Sequence, residues 1–337
     1  MPEFPSVRTA EKVDRAIFEN EIKPFGQPVI LKGLVADWPC VRAARESAET
    51  LGAYIKRHDV GKPVVLSVCP KQFQGRFFYN DDLTGMNFTT IEKRLNFMVD
   101  WCLTEKPGEP RDAVYVQGQE IDVFLPAMAR DTPMPLLDAT VRPRAWIANT
   151  VRTQTHFDLA SNIACHVSGE KVFTLFPPDQ LANLYPGPLE LTPAGVPVSM
   201  VELETPDFER FPRFHQALAV AQQARLEPGD ALYMPPMWWH HVQTTGPLNM
   251  LVNYWWSDVR KELPPPFLAF YMTVMGFRHM PPAEREAWQG MLDYFVFEHA
   301  DEALAHLPKK AQGVFRKDIN SAELLTYQRK LKQLVGS

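Results

Sequence analysis

The stretch "THFDLASNIACHVSGEKVFTLFPP", residues 155–178, decides the fold class and most of the functional interpretation. Its apolar runs, bounded by glycine and proline, are typical of β-strands joined by a turn. Three polar side chains interrupt this pattern: His156, Asp158 and Lys171. Each costs stability in a buried strand unless a ligand binds there, so the stretch predicts a site as well as a fold.

Residues 144–258 continue the strand pattern and contain one long Pro-rich insertion, residues 186–212. Short strands at this spacing predict an antiparallel sandwich or barrel. On the N-terminal side we predict a helix over residues 9–24 and another over "NFTTIEKRLNFMVDWCL", capped by Asn87 or Thr89. After residue 262 the apolar residues recur with a helical period.

The composition describes a globular chain without a general affinity for polyanions. The 337 residues are 45% hydrophobic, and the net charge is −5. This balance gives no electrostatic reason to bind nucleic acid or an anionic membrane. Four widely spaced cysteines fit reduced thiols better than a disulfide framework. With no signal-like start and no apolar run of about 20 residues, the sequence predicts a cytoplasmic protein with no membrane partner.

Strand alternation brings two metal-ligand types together at the start of the stretch. His156 and Asp158 share one face of a strand, while Phe157 points to the other. Two histidines and one carboxylate form the facial triad of non-heme Fe(II) oxygenases. The second histidine is expected from "WWHHV", where alternation allows either His240 or His241 to face the interior, but not both.

Lys171 begins a strand face that is otherwise apolar, since Phe173 and Leu175 follow on it. A buried ammonium is costly unless it is paired, so an anionic co-substrate is indicated. The distal carboxylate of 2-oxoglutarate is a suitable partner, with Thr153 or Tyr115 donating a hydroxyl hydrogen bond to it. The alternative is that Lys171 lies at a strand end and its amine reaches solvent.

Four segments together carry a family resemblance: "TQTHFDLASNIACHVSGEKVFTLFPPDQLANLYPGP", "PDFERFP", "PGDALYMPPMWWHHV" and "LVNYWW". They resemble the Jumonji-C (cupin-8-like) Fe(II)/2-oxoglutarate oxygenases and, within them, the asparaginyl hydroxylases. The resemblance implies a mainly β fold, a double-stranded β-helix (jelly-roll) core. It implies N-terminal α/β elements over residues 1–118, the catalytic core over 119–260 and a C-terminal helical region over 261–337.

The resemblance also implies roles for individual residues. His156, Asp158 and His240 match the metal ligands, and Lys171 with Thr153 matches the pair that holds the distal carboxylate of 2-oxoglutarate. Other matching positions line the co-substrate pocket, namely Asn162, Asn253 and Tyr115. The substrate side of the pocket is expected to include Trp255, Gln117 and Trp238. His241 is then expected to point away from the metal, and His166 to be a core or rim residue.

The implied activity is an Fe(II)- and 2-oxoglutarate-dependent dioxygenase that uses O2 to hydroxylate a C–H bond, with succinate and CO2 as co-products. We expect a protein or peptide substrate, because the acidic net charge does not favour nucleic acid. The C-terminal helices are expected to support a homodimer. The alternatives are a tRNA-base or small-molecule hydroxylase of the same type, a non-catalytic cupin module, and, disfavoured for lack of a general base, a zinc hydrolase.

Overall fold

The computed structural model describes residues 4–104, 109–300, 302–316 and 318–335. The chain divides into two compact units, Met1–Ser257 and Asp258–Ser337. Every strand named below belongs to the first unit. None of the described helices combines the length and the apolar composition that a bilayer crossing requires. The division of the chain at residue 118 stays a prediction.

Twelve strands form one mixed sheet with helices around it, which confirms the predicted cupin-type jelly-roll fold class. The strands are β1 Arg8–Glu11, β2 Val29–Lys32, β3 Pro63–Cys69, β4 Arg76–Phe77, β5 Thr89–Arg94, β6 Ala113–Glu120, β7 Pro143–Ala148, β8 Val151–Phe157, β9 Ser161–Phe176, β10 Gln222–Leu226, β11 Ala231–Met234 and β12 Trp239–Trp256.

The two longest strands, β9 and β12, organise the core. They pair antiparallel along most of their length, from Trp239 opposite Phe176 to Trp256 opposite Ser161. One half of β9 also pairs with β11 and the other half with β10, while β12 pairs with β7 and β8. Each long strand therefore contributes to both walls, as the closure of a jelly roll requires.

Ten α-helical segments lie in the described part of the chain. They are α1 Arg15–Ile17, α2 Pro39–Glu46, α3 Ala48–His58, α4 Leu95–Leu103, α5 Ile121–Phe124, α6 Pro126–Arg130, α7 Phe214–Ala219, α8 Pro266–Phe277, α9 Pro282–Leu292 and α10 Ser321–Val335. Ser47 caps α3, because its hydroxyl accepts a hydrogen bond from the Thr50 amide at 3.0 Å.

Alternation along β9 separates two apolar clusters. Ile163 and Cys165 belong to the outer cluster, which packs against residues of α2, α3 and α4 such as Leu51. Ala164, between them, belongs to the inner cluster together with Phe173. Successive side chains on a strand point to opposite faces, so one strand supports both the helical layer and the floor of the barrel.

Two of the predicted helices are wrong at their N-terminal ends. Residues Arg8–Glu11 form β1, which pairs parallel with β2, so the helix predicted over residues 9–24 begins only at Arg15. Residues Thr89–Arg94 form β5, which pairs with β3, and α4 begins at Leu95 instead of near Asn87. In both cases pairing with another strand overrides the local helical pattern. The partner strand lies outside the sequence window from which the helix was predicted.

Strand β9 runs without a break from Ser161 to Phe176, so the turn predicted within this stretch is wrong. Gly169 lies inside the strand in a backbone conformation that other residues avoid. Its φ is +82°, and an added Cβ would lie 1.8 Å from Oδ1 of the buried Asn249. We therefore expect Gly169→Ala to lower the free energy of unfolding by about 2–4 kcal/mol. Urea unfolding measures this loss. Gly195→Ala is the matched control, because Gly195 has a φ of +76° with nothing within 4 Å, and only the strain of about 1–2 kcal/mol applies. Equal losses in both variants would contradict the steric explanation.

Candidate active site

The three candidate metal ligands meet at one end of the barrel. His156 on β8 lies directly opposite His240 on β12, and Asp158 follows the last residue of β8. One ligand atom from each residue lies within 4.8 Å of the others, and no second group of three or more such residues is found among the described residues. Metal–ligand bonds of about 2.0–2.2 Å fit donors at this spacing. The ligand roles stay predictions, but the donor set fits a divalent metal.

Backbone carbonyls orient both imidazoles. Nδ1 of His156 donates to the carbonyl oxygen of Gln154 at 2.8 Å, and Nδ1 of His240 donates to that of Trp238 at 3.1 Å. A carbonyl only accepts, so each Nδ1 carries the proton and each Nε2 has a free lone pair. Burial and the neighbouring His240 lower the pKa of His156 to about 4, so its imidazole is neutral at neutral pH, as a ligand must be.

A hydrogen-bond chain fixes the carboxylate of Asp158. Its Oδ2 accepts from Nε1 of Trp255 at 3.0 Å and from Nδ2 of Asn162 at 3.1 Å. Asn162 in turn accepts from Asn253 at 3.3 Å, and Asn253 accepts from the indole NH of Trp146 at 2.8 Å. Asn162 and Asn253 line the inner pocket with the triad and also hold Asp158 in place, while their role towards a co-substrate stays a prediction.

Lys171 lies in the same inner pocket as the triad. Its side chain is 7% exposed, and within the described part of the chain it forms no ion pair. Burial lowers the pKa of Lys171 to about 7. A buried amine at the bottom of a pocket is compatible with an anion as its partner, and it is incompatible with an amine that reaches solvent.

Thr153 and Tyr115 also line the inner pocket, and their hydroxyls are hydrogen-bonded to each other. Thr153 and His156 are three residues apart, so a regular strand would place them on opposite faces. The register between β8 and β12 shifts between His240 and Val242, which lies opposite Thr153. This bulge brings Thr153 to the side of the metal ligands.

A wider outer cavity of about 230 Å³ lies against His156 and Asp158. Gln117 and Trp255 line it, and their place on the substrate side stays a prediction. The long insertion also reaches it, because Pro193, Ala194 and Val198 form part of its wall. A backbone bridge between His156 and Val198 attaches this wall to β8.

Trp238 lies elsewhere, and its predicted place in the substrate pocket is wrong. It is not among the residues that line the inner or the outer cavity; it is buried in the inner apolar cluster. Its indole NH donates to the carbonyl of Gly26 at 3.0 Å. In a regular strand Trp238 and His240, two residues apart, would lie on the same face. Strand β12 begins only at Trp239, so this alternation does not apply to Trp238.

The other two histidines of the region point away from the triad. Nε2 of His241 lies 3.1 Å from Oε1 of Glu204, on the far side of β12. His166 is fully buried, and its Nε2 lies 2.9 Å from the carbonyl oxygen of Gly169. Burial lowers the pKa of His166 to about 3, so it is a neutral core residue.

Two residues that line the cavities were not predicted from the sequence. Trp146 on β7 lines both cavities and donates to Asn253, and Gln154 lines the outer cavity beside the bulge. Alternation in "AWIANTV" places Trp146 on one face together with Ala148, which gives no hint of a polar role. Gln154 is two residues before His156, so alternation places both on one face, but the sequence interpretation did not use this signal.

Comparisons with known proteins agree with this geometry. Residues 15–262 match the model of the cupin-like domain (Cupin_8). The chain is 25% identical over 80% of its length to "Lysine-specific demethylase JMJ31" of Arabidopsis thaliana, covering 53% of that protein. It is 32% identical over 71% of its length to "Jumonji C domain-containing protein 5" of Drosophila melanogaster, covering 57% of it. A third relative is "Lysine-specific demethylase 8" of Xenopus tropicalis, 27% identical over 68% of the chain and covering 48% of it.

The chain spans about half the length of these curated relatives. The matched domain, however, covers most of the first unit and includes all three candidate ligands and Lys171. The chain therefore belongs to the cupin-like, JmjC-type domain family.

Proposed function

We propose that this protein is an Fe(II)- and 2-oxoglutarate-dependent dioxygenase that hydroxylates a C–H bond of a protein side chain. In the balanced reaction, 2-oxoglutarate, O2 and R–H give succinate, CO2 and R–OH. One oxygen atom enters the substrate and the other enters succinate. The electrons that reduce O2 come from the decarboxylated keto acid and from the C–H bond.

Lys171 is the observation that carries this proposal. A metal site alone would also suit a binding module, but a buried amine without an ion pair in the same pocket indicates a specific anionic co-substrate. A dicarboxylate that binds the metal at one end and Lys171 at the other satisfies both groups. Thr153 lines the same pocket, which supports a role for its hydroxyl in binding the distal carboxylate.

The residues of the chain bind and orient the reactants. His156, Asp158 and His240 would hold Fe(II), which supplies the O2 chemistry when it is bound. Trp255 and Asn162 keep one Asp158 oxygen fixed through their hydrogen bonds. Apolar side chains around the inner pocket, such as Phe173 and Leu251, exclude water from the reacting centre.

Succinate release tests the proposal. The purified protein should convert 2-oxoglutarate to succinate with Fe(II) and not with Zn(II), since zinc has no redox chemistry. Because turnover without substrate is slow in such enzymes, binding of 2-oxoglutarate to the Zn(II)-loaded protein is measured alongside. Binding without any Fe(II)-dependent succinate would favour the non-catalytic cupin module, and the absence of both would refute the proposal.

A protein side chain is the substrate class that we favour. The relatives include proteins named lysine-specific demethylases, and the net charge of −5 gives no support to an RNA substrate. A tRNA-base or small-molecule hydroxylase remains the second candidate. Incubation of cell extract with enzyme and 2-oxoglutarate, followed by a search for products heavier by one oxygen, distinguishes them. The cytoplasmic location stays a prediction.

We also propose that the C-terminal unit forms a homodimer contact. Helix α8 is apolar almost all round and has no buried residue; Leu268 and Met275 are 54% and 73% exposed. Such a helix needs a partner surface. We expect Leu268→Glu with Met275→Glu to halve the mass measured by light scattering. Glu284→Lys with Glu286→Lys, on the polar helix α9, is the control. A wild-type protein of monomer mass would contradict the proposal.

A further inference from the structure

The outer cavity is lined almost entirely by uncharged side chains. Four apolar or phenolic aromatic rings form part of its wall, those of Phe77, Tyr115, Trp146 and Trp255. Among the described residues that line it, Asp158 is the one carboxylate, and no lysine or arginine is present. Asp158 is held as a metal ligand, so it is not free to pair with a substrate cation.

Several polar groups in this wall are already hydrogen-bonded to the protein. The amide of Gln154 donates to the carbonyls of Ser199 at 2.8 Å and Val201 at 2.7 Å, and its oxygen accepts from Arg76 at 3.1 Å. Both indole NH groups are also used, by Asn253 and Asp158. Gln117 donates to Ser67 and keeps its amide oxygen, an uncharged acceptor, for a substrate.

The same hydrogen bonds fix the shape of the cavity. Gln154 attaches the inserted segment, which carries Pro193, Ala194 and Val198, to strand β8. An ion pair between Arg76 and Glu202, 3.2 Å apart, anchors the segment a few residues further along. The wall is therefore preformed, and its neutral lining is not the result of an open loop that could bring in a charge.

A guanidinium near the rim is already paired with groups of the protein. Arg144 lies 6.0 Å from the ring centre of Trp255, but its guanidinium donates to the carbonyl of Gly118 at 2.8 Å and to Glu120 at 3.1 Å. Within the inner pocket, the charges of a divalent metal and Lys171 would be balanced by Asp158 and the dicarboxylate. A loaded site therefore has no net charge to attract an ionic side chain.

Burial of an ionic side chain in this cavity is unfavourable. Desolvation of an ammonium or a carboxylate costs several kcal/mol when no counter-charge is present. Contact with aromatic faces returns about 0.5–2 kcal/mol to a cation and nothing to an anion. The desolvation cost is therefore larger than the free energy that contact with the aromatic rings returns. Charged side chains are excluded from the cavity for this reason.

We infer that the side chain that enters this cavity and is oxidised is electrically neutral: a carboxamide or an aliphatic group, and neither a lysine, methylated or not, nor an arginine or a carboxylate. This inference rests on the proposed function and narrows it. It predicts a stable hydroxylated residue as the product. Oxidation of an N-methyl group would instead break down to the amine and formaldehyde.

The test uses peptide libraries with one fixed central residue and random flanks. The central residue is Asn, Gln, Leu, Lys, trimethyl-lysine, Arg, Asp or Glu. Retention is measured on the full-length protein loaded with Zn(II) and 2-oxoglutarate, a pair that does not turn over. The retained peptides are then incubated with the Fe(II) form and examined for a gain of one oxygen and for formaldehyde.

We expect the neutral libraries to be retained at least about tenfold better than the charged ones, which corresponds to about 1.4 kcal/mol. Ala194 is exposed on the cavity wall, so it tolerates a larger side chain. Ala194→Glu should shift retention at least about tenfold towards Lys and Arg, because it introduces the missing carboxylate. Ala194→Gln, of the same size and without charge, should not.

The other outcomes separate this inference from the proposed function. Preferential retention of a charged or methylated library, or release of formaldehyde, would overturn the inference and leave the oxygenase proposal standing. Retention of no library, with 2-oxoglutarate still bound, would overturn it as well, since the cavity would then not be a side-chain site. Failure to bind 2-oxoglutarate would refute the proposed function itself.

Discussion

Replacement of His156, Asp158 or His240 by alanine should lower Fe(II)-dependent succinate formation at least about a thousandfold. Each residue supplies one of three ligand atoms that lie within 4.8 Å of one another, so two remaining ligands cannot hold the metal in the same geometry. Metal affinity and turnover should therefore fall together. Metal titration and a succinate assay on the same preparation measure both quantities.

His241→Gln is the matched control for these variants. His241 is adjacent to His240 and equally buried, but its side chain faces Glu204 across the strand. Its loss should affect stability and leave metal affinity within about tenfold of the wild type. Circular dichroism confirms that each variant is folded. Wild-type turnover by His156→Ala, or loss of metal from His241→Gln alone, would refute the ligand assignment.

Strand alternation in the sequence predicted two of the three candidate metal ligands, but it did not decide the third. Alternation placed His156 and Asp158 on one face, and the structure brings both to the same pocket. Alternation did not decide between His240 and His241, because that choice depends on the register of β12 against β8. Register is a property of two strands about 80 residues apart, and only the family resemblance indicated it beforehand.

The predictions that were wrong share a physical cause, which is contact between segments that are far apart in the sequence. The bulge in β8 turns Thr153 to the side of the metal ligands, and a bulge has no signal in a period-two pattern. Strand β5 replaced a predicted helical turn because β3 offered it a partner. Trp238 was expected in the substrate pocket, but its indole NH donates to Gly26, more than 200 residues away in the chain. Local residues predict the ligand types; distant contacts decide where side chains point.

Replacement of Lys171 by methionine should raise the apparent KM for 2-oxoglutarate at least about a hundredfold, with the metal still bound. Removal of one partner of a buried ion pair costs about 3–5 kcal/mol, and the dicarboxylate would lose its only cationic partner among the described pocket residues. Methionine is an unbranched side chain of similar length without the charge, so the shape of the pocket wall is preserved. Lys171→Arg, which keeps the charge, should lose less affinity than Lys171→Met. An unchanged KM in Lys171→Met would contradict the assignment.

The pH dependence of this variant separates co-substrate binding from a structural role. Burial lowers the pKa of Lys171 to about 7 in the folded protein, against an ordinary value of 10.5. Below pH 7 both the folded and the unfolded chain carry the proton, so burial of the charge destabilises the wild type by its full amount. Between pH 7 and 10.5 only the unfolded chain holds it, and wild-type stability rises with pH relative to Lys171→Met.

In the folded protein burial favours the neutral amine of Lys171. A bound dicarboxylate has the opposite effect, because it stabilises the ammonium and raises the pKa of Lys171. Binding of 2-oxoglutarate at pH 8 should therefore take up a proton. Calorimetry in two buffers of different ionisation enthalpy measures this uptake on the Zn(II)-loaded protein, and Lys171→Met should show none. A lysine that only filled space would give the same binding enthalpy in both buffers for both proteins, and Lys171 would then have no part in holding the co-substrate.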